Sequence, residues 1–204
     1  ASKKIDLVRT YIEEKKYSKA KIELEYLVMY DPLSEFAADA QYYLSECYFY
    51  LGEYSQAITE YERYLSRPDY KPNYIPEVYF MLCKCYFNLS LEYNKDQSDT
   101  HIAIDKLQSY IEKDIMKDYV SQIENMIQEL RNKLAKKDFY TASLYIKLDE
   151  LKSANIYYYS IINNYYDTRF VNDALFNIAL LNIIEGKNPV LFLKNHKNSF
   201  QQQK

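Results

Sequence analysis

The sequence predicts an all-α chain of antiparallel helix pairs, and three observations carry that expectation. The 204 residues include only 2 Gly and 5 Pro, fewer than turn-rich β folds or long flexible linkers use. Apolar residues return at helical spacing through most of the chain. A short Tyr-Ser-x-Ala motif recurs, with 25 Tyr and no Trp overall, and tyrosine suits thin helical layers because it combines large packing area with a polar tip.

The motif Tyr17-Ser18-Lys19-Ala20 returns as Tyr54-Ser55-Gln56-Ala57, a step of 37 residues, close to the 34-residue tetratricopeptide period. Tyr11, Tyr48 and Tyr86 recur late in the first helix of successive units, and Leu24, Tyr61 and Leu107 follow Ala20, Ala57 and Ala103 by four residues. The small alanine lets two helices approach, and the large residue one turn on fills the groove.

In order along the chain, the first pair is predicted near 3–14 and 18–30, and the second at 35–51 and 55–66, with Pro32 and Pro68 after the second helices. Ile75-Pro76-Glu77 starts the third pair, proline falling in the first helical turn. That helix runs to about Leu89, a polar stretch follows from Ser90 to Thr100, and the partner helix spans about 101–113. Val120 to Ile146 holds no Pro or Gly and reads as one long helix, followed by 151–164 and a last helix near 169–185 ending at Gly186. The expected architecture is a tetratricopeptide-repeat superhelix of about five antiparallel pairs, the last incomplete. The expected organisation is an N-terminal half, 1–113, with an insertion near 90–100, a C-terminal half, 114–190, and a polar tail, 191–204, with a frayed end.

Several function classes are disfavoured. A net charge of −3 offers no field for nucleic acid or anionic lipid. No run of about 18 apolar residues would span a bilayer. Cys47, Cys83 and Cys85 are an odd set, two of them diverging on one helix, and read as small buried hydrophobes. Asp96, Asp99 and His101 lack metal-loop spacing, and no Gly-rich phosphate loop or nucleophile with a placed base occurs. No metal, cofactor or enzymatic activity is expected.

Three stretches narrow the class. The insertion ends Asn94-Lys95-Asp96-Gln97-Ser98-Asp99-Thr100 before Ala103-Ile104. The long helix carries Ile127-Gln128-Glu129-Leu130-Arg131-Asn132-Lys133-Leu134-Ala135, then Asp138-Phe139-Tyr140-Thr141-Ala142 with Tyr145 beyond. Tyr165-Tyr166-Asp167-Thr168 closes the fourth pair. Over nearly the whole chain this pattern resembles the BamD family, tetratricopeptide lipoproteins of the bacterial outer-membrane β-barrel assembly machinery. The chain departs from the family where Tyr166 replaces a proline and where Asp114-Ile115 stands for Tyr-Pro. The resemblance implies a non-enzymatic scaffold on the periplasmic face of the outer membrane, held by a lipid anchor that is not in this chain, with Ala1 lying after it. Its implied partners are the periplasmic domain of the barrel-forming subunit and the C-terminal peptides of unfolded outer-membrane proteins.

Two surfaces are candidates. The first helices of the N-terminal units would line a concave peptide groove with Ile5, Arg9 and Ile12, then Tyr42, Glu46 and Phe49, then Phe80, Lys84 and Phe87. An aromatic trough with Arg9 and Lys84 suits a peptide with apolar side chains and a terminal carboxylate. Tyr42, Phe80 and Phe87 would serve equally to pack the inner wall, and Arg9 and Lys84 to be ordinary solvated charges. In the C-terminal half, which the resemblance assigns to partner docking, the candidates are Arg131, Lys147, Tyr157, Tyr159 and Arg169, with solvated surface the alternative for each.

Two other binding roles are alternatives for such an array. A co-chaperone clamp for an acidic tail would use Ile5, Arg9, Tyr43, Glu77 and Met81, of which only Arg9 is cationic, so that role is disfavoured. Another envelope tetratricopeptide protein, coordinating cell-wall synthesis with constriction, would share the fold and compartment.

Overall fold

The computed structural model describes residues 2–190 and residue 194, without the side chains of residues 2–4. Among the described residues there are nine α-helices and no strand. They are α1 (Ser2–Glu13), α2 (Tyr17–Tyr30), α3 (Ala37–Tyr50), α4 (Tyr54–Ser66), α5 (Ile75–Leu89), α6 (Ser98–Ile111), α7 (Val120–Lys147), α8 (Leu151–Asn164) and α9 (Val171–Ile184). Short 3-10 turns occupy Pro72–Tyr74 and Asp114–Tyr119. The fold is the all-α, tetratricopeptide-like arrangement that the sequence predicts. Apart from Lys194, the polar tail lies outside the described residues.

The helices fall into two packing units: residues up to 90 with 101–123, and residues 91–100 with 124 onward. The division therefore falls inside α7, and the insertion belongs with the C-terminal residues. The expected halves met at 113/114 and counted the insertion with the N-terminal one.

In the first unit α1 and α2 bury Ile5 and Val8 against Ala20, Leu24 and Leu27, and Ala40, Leu44 and Cys47 of α3 complete that cluster. The repeat explains the spacing: Ala20, Ala57 and Ala103 are fully buried, as are Leu24, Tyr61 and Leu107 one turn later. Helix α3 is the most enclosed, hiding even Asp39, Gln41 and Ser45. Its Gln41 amide donates to the Glu60 carboxylate, which also accepts from Arg63 at 2.6 Å, so these buried polar groups are paired. Cys47, Cys83 and Cys85 are buried free thiols, as expected.

In the second unit α7, α8 and α9 share a core of Ala135, Ala142, Ala154, Tyr158, Ile161, Leu175 and Ile178. Ala154 and Tyr158 repeat the alanine-plus-four rule. The Phe139 ring meets the Tyr158 edge at 5.7 Å, and Ser160 donates to Asp138 at 2.7 Å, fixing α8 on α7.

Backbone turns mark the repeat more plainly than side chains do. Lys15, Gly52, Asp149 and Gly186 follow α1, α3, α7 and α9, and all have positive φ, 56°, 77°, 60° and 71°. In each case the next amide donates five residues back: Lys16 to Tyr11, Glu53 to Tyr48, Glu150 to Tyr145 and Lys187 to Asn182. These are Schellman endings in one register. Because α9 ends in the turn that closes the first helix of a pair, it takes a first-helix position, and Pro189 and Val190 after it are helical.

Helix α5 has no such ending, because the chain leaves it for the insertion. There Gln97, buried, donates to the carbonyls of Glu92 (2.7 Å) and Lys95 (3.2 Å) and accepts from Thr100 at 2.8 Å. Asp96 accepts from the Ser98 amide at 2.9 Å, which starts α6 at Ser98, three residues earlier than the sequence predicts. Hydrogen bonding from Ser98 holds the Asp96 carboxyl below its usual value.

Candidate functional site

Two surfaces carry the residues that the sequence singles out, one in each unit. In the first unit the predicted groove residues lie on α1, α3 and α5. The nine predicted groove residues divide by burial. Ile5, Tyr42 and Phe80 are buried, Ile12, Glu46, Phe49, Lys84 and Phe87 are half-buried, and Arg9 is exposed. Ile5 belongs to the core cluster, so a ligand cannot reach it. Tyr42 stacks on Tyr74 at 4.9 Å and meets the edges of Tyr61 and Tyr64, and Phe80 stacks on Tyr119 at 4.4 Å. These three are wall rather than contact residues: the close approach of neighbouring helices encloses ring positions that periodicity alone reads as groove-facing.

The accessible part of that face is a half-apolar surface around one unusual acid. Burial pushes the Glu46 carboxyl up to about 7, and the negative charge of Glu77 adds to the effect. Tyr42 donates its hydroxyl to Glu46 at 3.4 Å. Near neutral pH this acid is therefore only partly ionised. The Lys84 ammonium lies 4.4 Å above the Phe80 ring, a cation-π contact that holds its charge on this face. Burial, with Tyr74 and Asp39 nearby, raises the hydroxyl of Tyr43 above its usual value against the opposing charge of Arg9; Tyr43 is a half-buried ring of α3 absent from the predicted groove set.

In the second unit the docking candidates separate sharply. Arg131 donates to both Asp167 oxygens, at 2.6–3.0 Å, and to the Asn164 carbonyl at 2.8 Å, with the Tyr165 and Tyr166 rings each 5.8 Å away. Gln128 adds a bond to the Asp167 carbonyl. Arg131 is thus a brace on its own α8–α9 turn, where Tyr166 replaces the proline of the resembled pattern, and its fork is already committed. Tyr157 stacks on Tyr145 at 5.5 Å, half-buried. Tyr159, also half-buried, lines a cleft of about 520 Å³ with Ile156 and Lys187. The outward residue of the run 156–159 is Ile156, 68% exposed, not an aromatic.

Lys147 and Arg169 are exposed and join a surface that sequence reasoning missed. Helix α7 turns Arg131, Ala135, Asp138 and Ala142 toward its own unit, and its opposite face presents Glu129, Lys133, Lys136, Tyr140, Leu144 and Lys147 at three- and four-residue steps. The Arg169 amide donates to Asn132 at 3.2 Å, which sets that arginine beside α7. The signal was present in the sequence as a second periodic stripe on a helix already assigned one buried face.

Packed helix pairs, a repeated turn, and surfaces built from rings and isolated charges define a helical-repeat protein suited to binding. The family described as YfiO, outer membrane lipoprotein, matches residues 6–189. The chain belongs to that family, the BamD/YfiO family named by the sequence resemblance, and membership associates it with the cell envelope. No curated protein matches the chain.

Proposed function

We propose that the protein is a non-enzymatic scaffold and substrate-recognition subunit for folding and insertion of outer-membrane β-barrel proteins. It sits at the periplasmic face of the outer membrane, held by a lipid anchor. Its N-terminal helix pairs bind C-terminal segments of client proteins, and its C-terminal half docks on a periplasmic domain of the barrel-forming subunit. The single observation that carries this reading is the family match across nearly the whole helical array. The first unit supports it with a face on which Ile12, Phe49 and Phe87 remain partly open beside Arg9 and Lys84. Open rings and aliphatic chains take apolar peptide side chains, and the two cations take the terminal carboxylate.

The test uses a labelled peptide with an aromatic C-terminal residue, free or amidated. Replacing Arg9→Glu together with Lys84→Glu weakens the free-carboxylate peptide by about tenfold and the amidated one far less. Equal loss for both peptides removes the carboxylate role. Capture of cell-wall or constriction proteins in place of a barrel-forming subunit would favour the other envelope role.

A further inference from the structure

The second unit contains a cleft of about 510 Å³ between the insertion and α7. Lys133 and Lys136 of α7 and Arg169 of the α8–α9 turn line it with Glu92, Glu129 and Tyr93. Three cations therefore face two carboxylates. The Lys136 ammonium sits 4.2 Å above the Tyr93 ring and 5.9 Å from the Tyr140 ring, and those rings are 5.2 Å apart. Burial holds the Lys133 ammonium below its usual value, against the opposing pull of Glu129 and Glu92.

The cleft is continuous with an apolar row. Tyr140, Leu144 and Leu148 are 51%, 55% and 61% exposed and step away from it by four residues at a time. That row is about 12 Å long at the helical rise. Scattered exposed apolar residues are ordinary, whereas a ladder at helical spacing is the ridge into which another helix packs.

We propose that this surface docks an acidic amphipathic helix of a partner protein. Its carboxylates enter the cleft at Lys133, Lys136 and Arg169, and its apolar side chains, spaced by four residues, cover Tyr140, Leu144 and Leu148. Charge complementarity selects the occupant: a basic helix is repelled by the three cations, and Glu92 and Glu129 disfavour a broad anionic surface such as a bilayer or nucleic acid. This inference rests on the reading of the C-terminal half as a docking surface, and supplies the chemistry of its partner.

The test is fluorescence anisotropy with a labelled helical peptide of about 18 residues, bearing two glutamates one turn apart and leucines at the following four-residue steps. A second peptide carries lysines for the glutamates. The native chain binds the acidic peptide saturably, more weakly as salt rises, and the basic peptide at least about tenfold less well. Lys136→Glu with Arg169→Glu reverses that preference, and Leu144→Ser alone weakens the acidic peptide severalfold. Leu144 is exposed, so this last variant remains informative if the double variant fails to fold. Equal binding of both peptides, undiminished binding by Leu144→Ser, or binding to anionic vesicles in place of the acidic peptide overturns the proposal. Capture of a barrel-forming subunit that is unaffected by all three changes overturns the cleft's role while leaving the wider function standing.

Discussion

Tyr61 is fully buried in the first unit and its hydroxyl has no hydrogen-bond partner among the described residues. Desolvation of that group opposes folding, so Tyr61→Phe is expected to stabilise the chain by about 1 kcal/mol in urea unfolding. A loss of similar size would show that the hydroxyl is paired. Glu46 makes a second prediction. Its folded value, about 7, lies above its ordinary 4.5. Below about pH 4.5 both states hold the proton and Glu46 contributes nothing. Between there and pH 7 the unfolded chain releases the proton first, so stability falls as pH rises, and above pH 7 the full penalty is present. Glu46→Gln should therefore stabilise at pH 8, on the order of 1–3 kcal/mol, and have little effect at pH 4. Urea unfolding at the two pH values checks it, and a pH-independent difference would remove the titration as cause. The sequence shows that Glu46 falls among rings, but its raised value comes from burial in the folded chain and from Glu77, 31 positions along the chain, which no local pattern displays.

At the scale of elements, the turn after the first helix of a pair carries the most consequence for its size. Gly52 adopts its positive φ freely, whereas Lys15 and Asp149 hold the same backbone with a Cβ present. Lys15→Gly should stabilise by about 0.5–1 kcal/mol, Asp149→Gly by less because aspartate tolerates this region, and Gly52→Ala should destabilise by about 1 kcal/mol. An added Cβ at Gly52 meets nothing within 4 Å, so the last effect is purely backbone conformation. Thermal midpoints of the three variants check the order. Helix positions were legible because alanine followed by a large residue four places on marks the packed face of α2, α4, α6 and α8. The turn at Asp149 was less legible, since no glycine announces it. The brace at Arg131 was hidden for another reason: its acceptor Asp167 lies 36 residues away, so an arginine on the long helix reads as surface until α8 returns. Arg131→Ala should cost about 2–3 kcal/mol through the charged hydrogen bonds it removes, and hydrogen exchange should quicken at residues 165–170 before elsewhere.

At the scale of the molecule, there are two packing units, each with its own core and its own candidate surface. Residues 91–100 of the insertion, tied by Gln97 and by the Asp96–Ser98 hydrogen bond, belong to the second unit, and Glu92 and Tyr93 form one wall of the cleft beside α7. Fold and family were legible in the sequence because the repeat, the insertion and the long helix are local patterns. The surfaces were legible only in part, since burial turned Ile5, Tyr42 and Phe80 into wall and brought Lys133 and Lys136 into view. In the proposed function this chain joins client recognition to a barrel-forming subunit. That role is tested most directly by affinity capture of the tagged native protein from detergent-solubilised envelopes, with the bound proteins identified by mass spectrometry. The expected capture is a dominant β-barrel subunit bearing periplasmic domains, lost when the C-terminal surface is altered and retained when Arg9 and Lys84 are reversed. Capture dominated by cell-wall or constriction proteins, with no barrel-forming subunit, would contradict it.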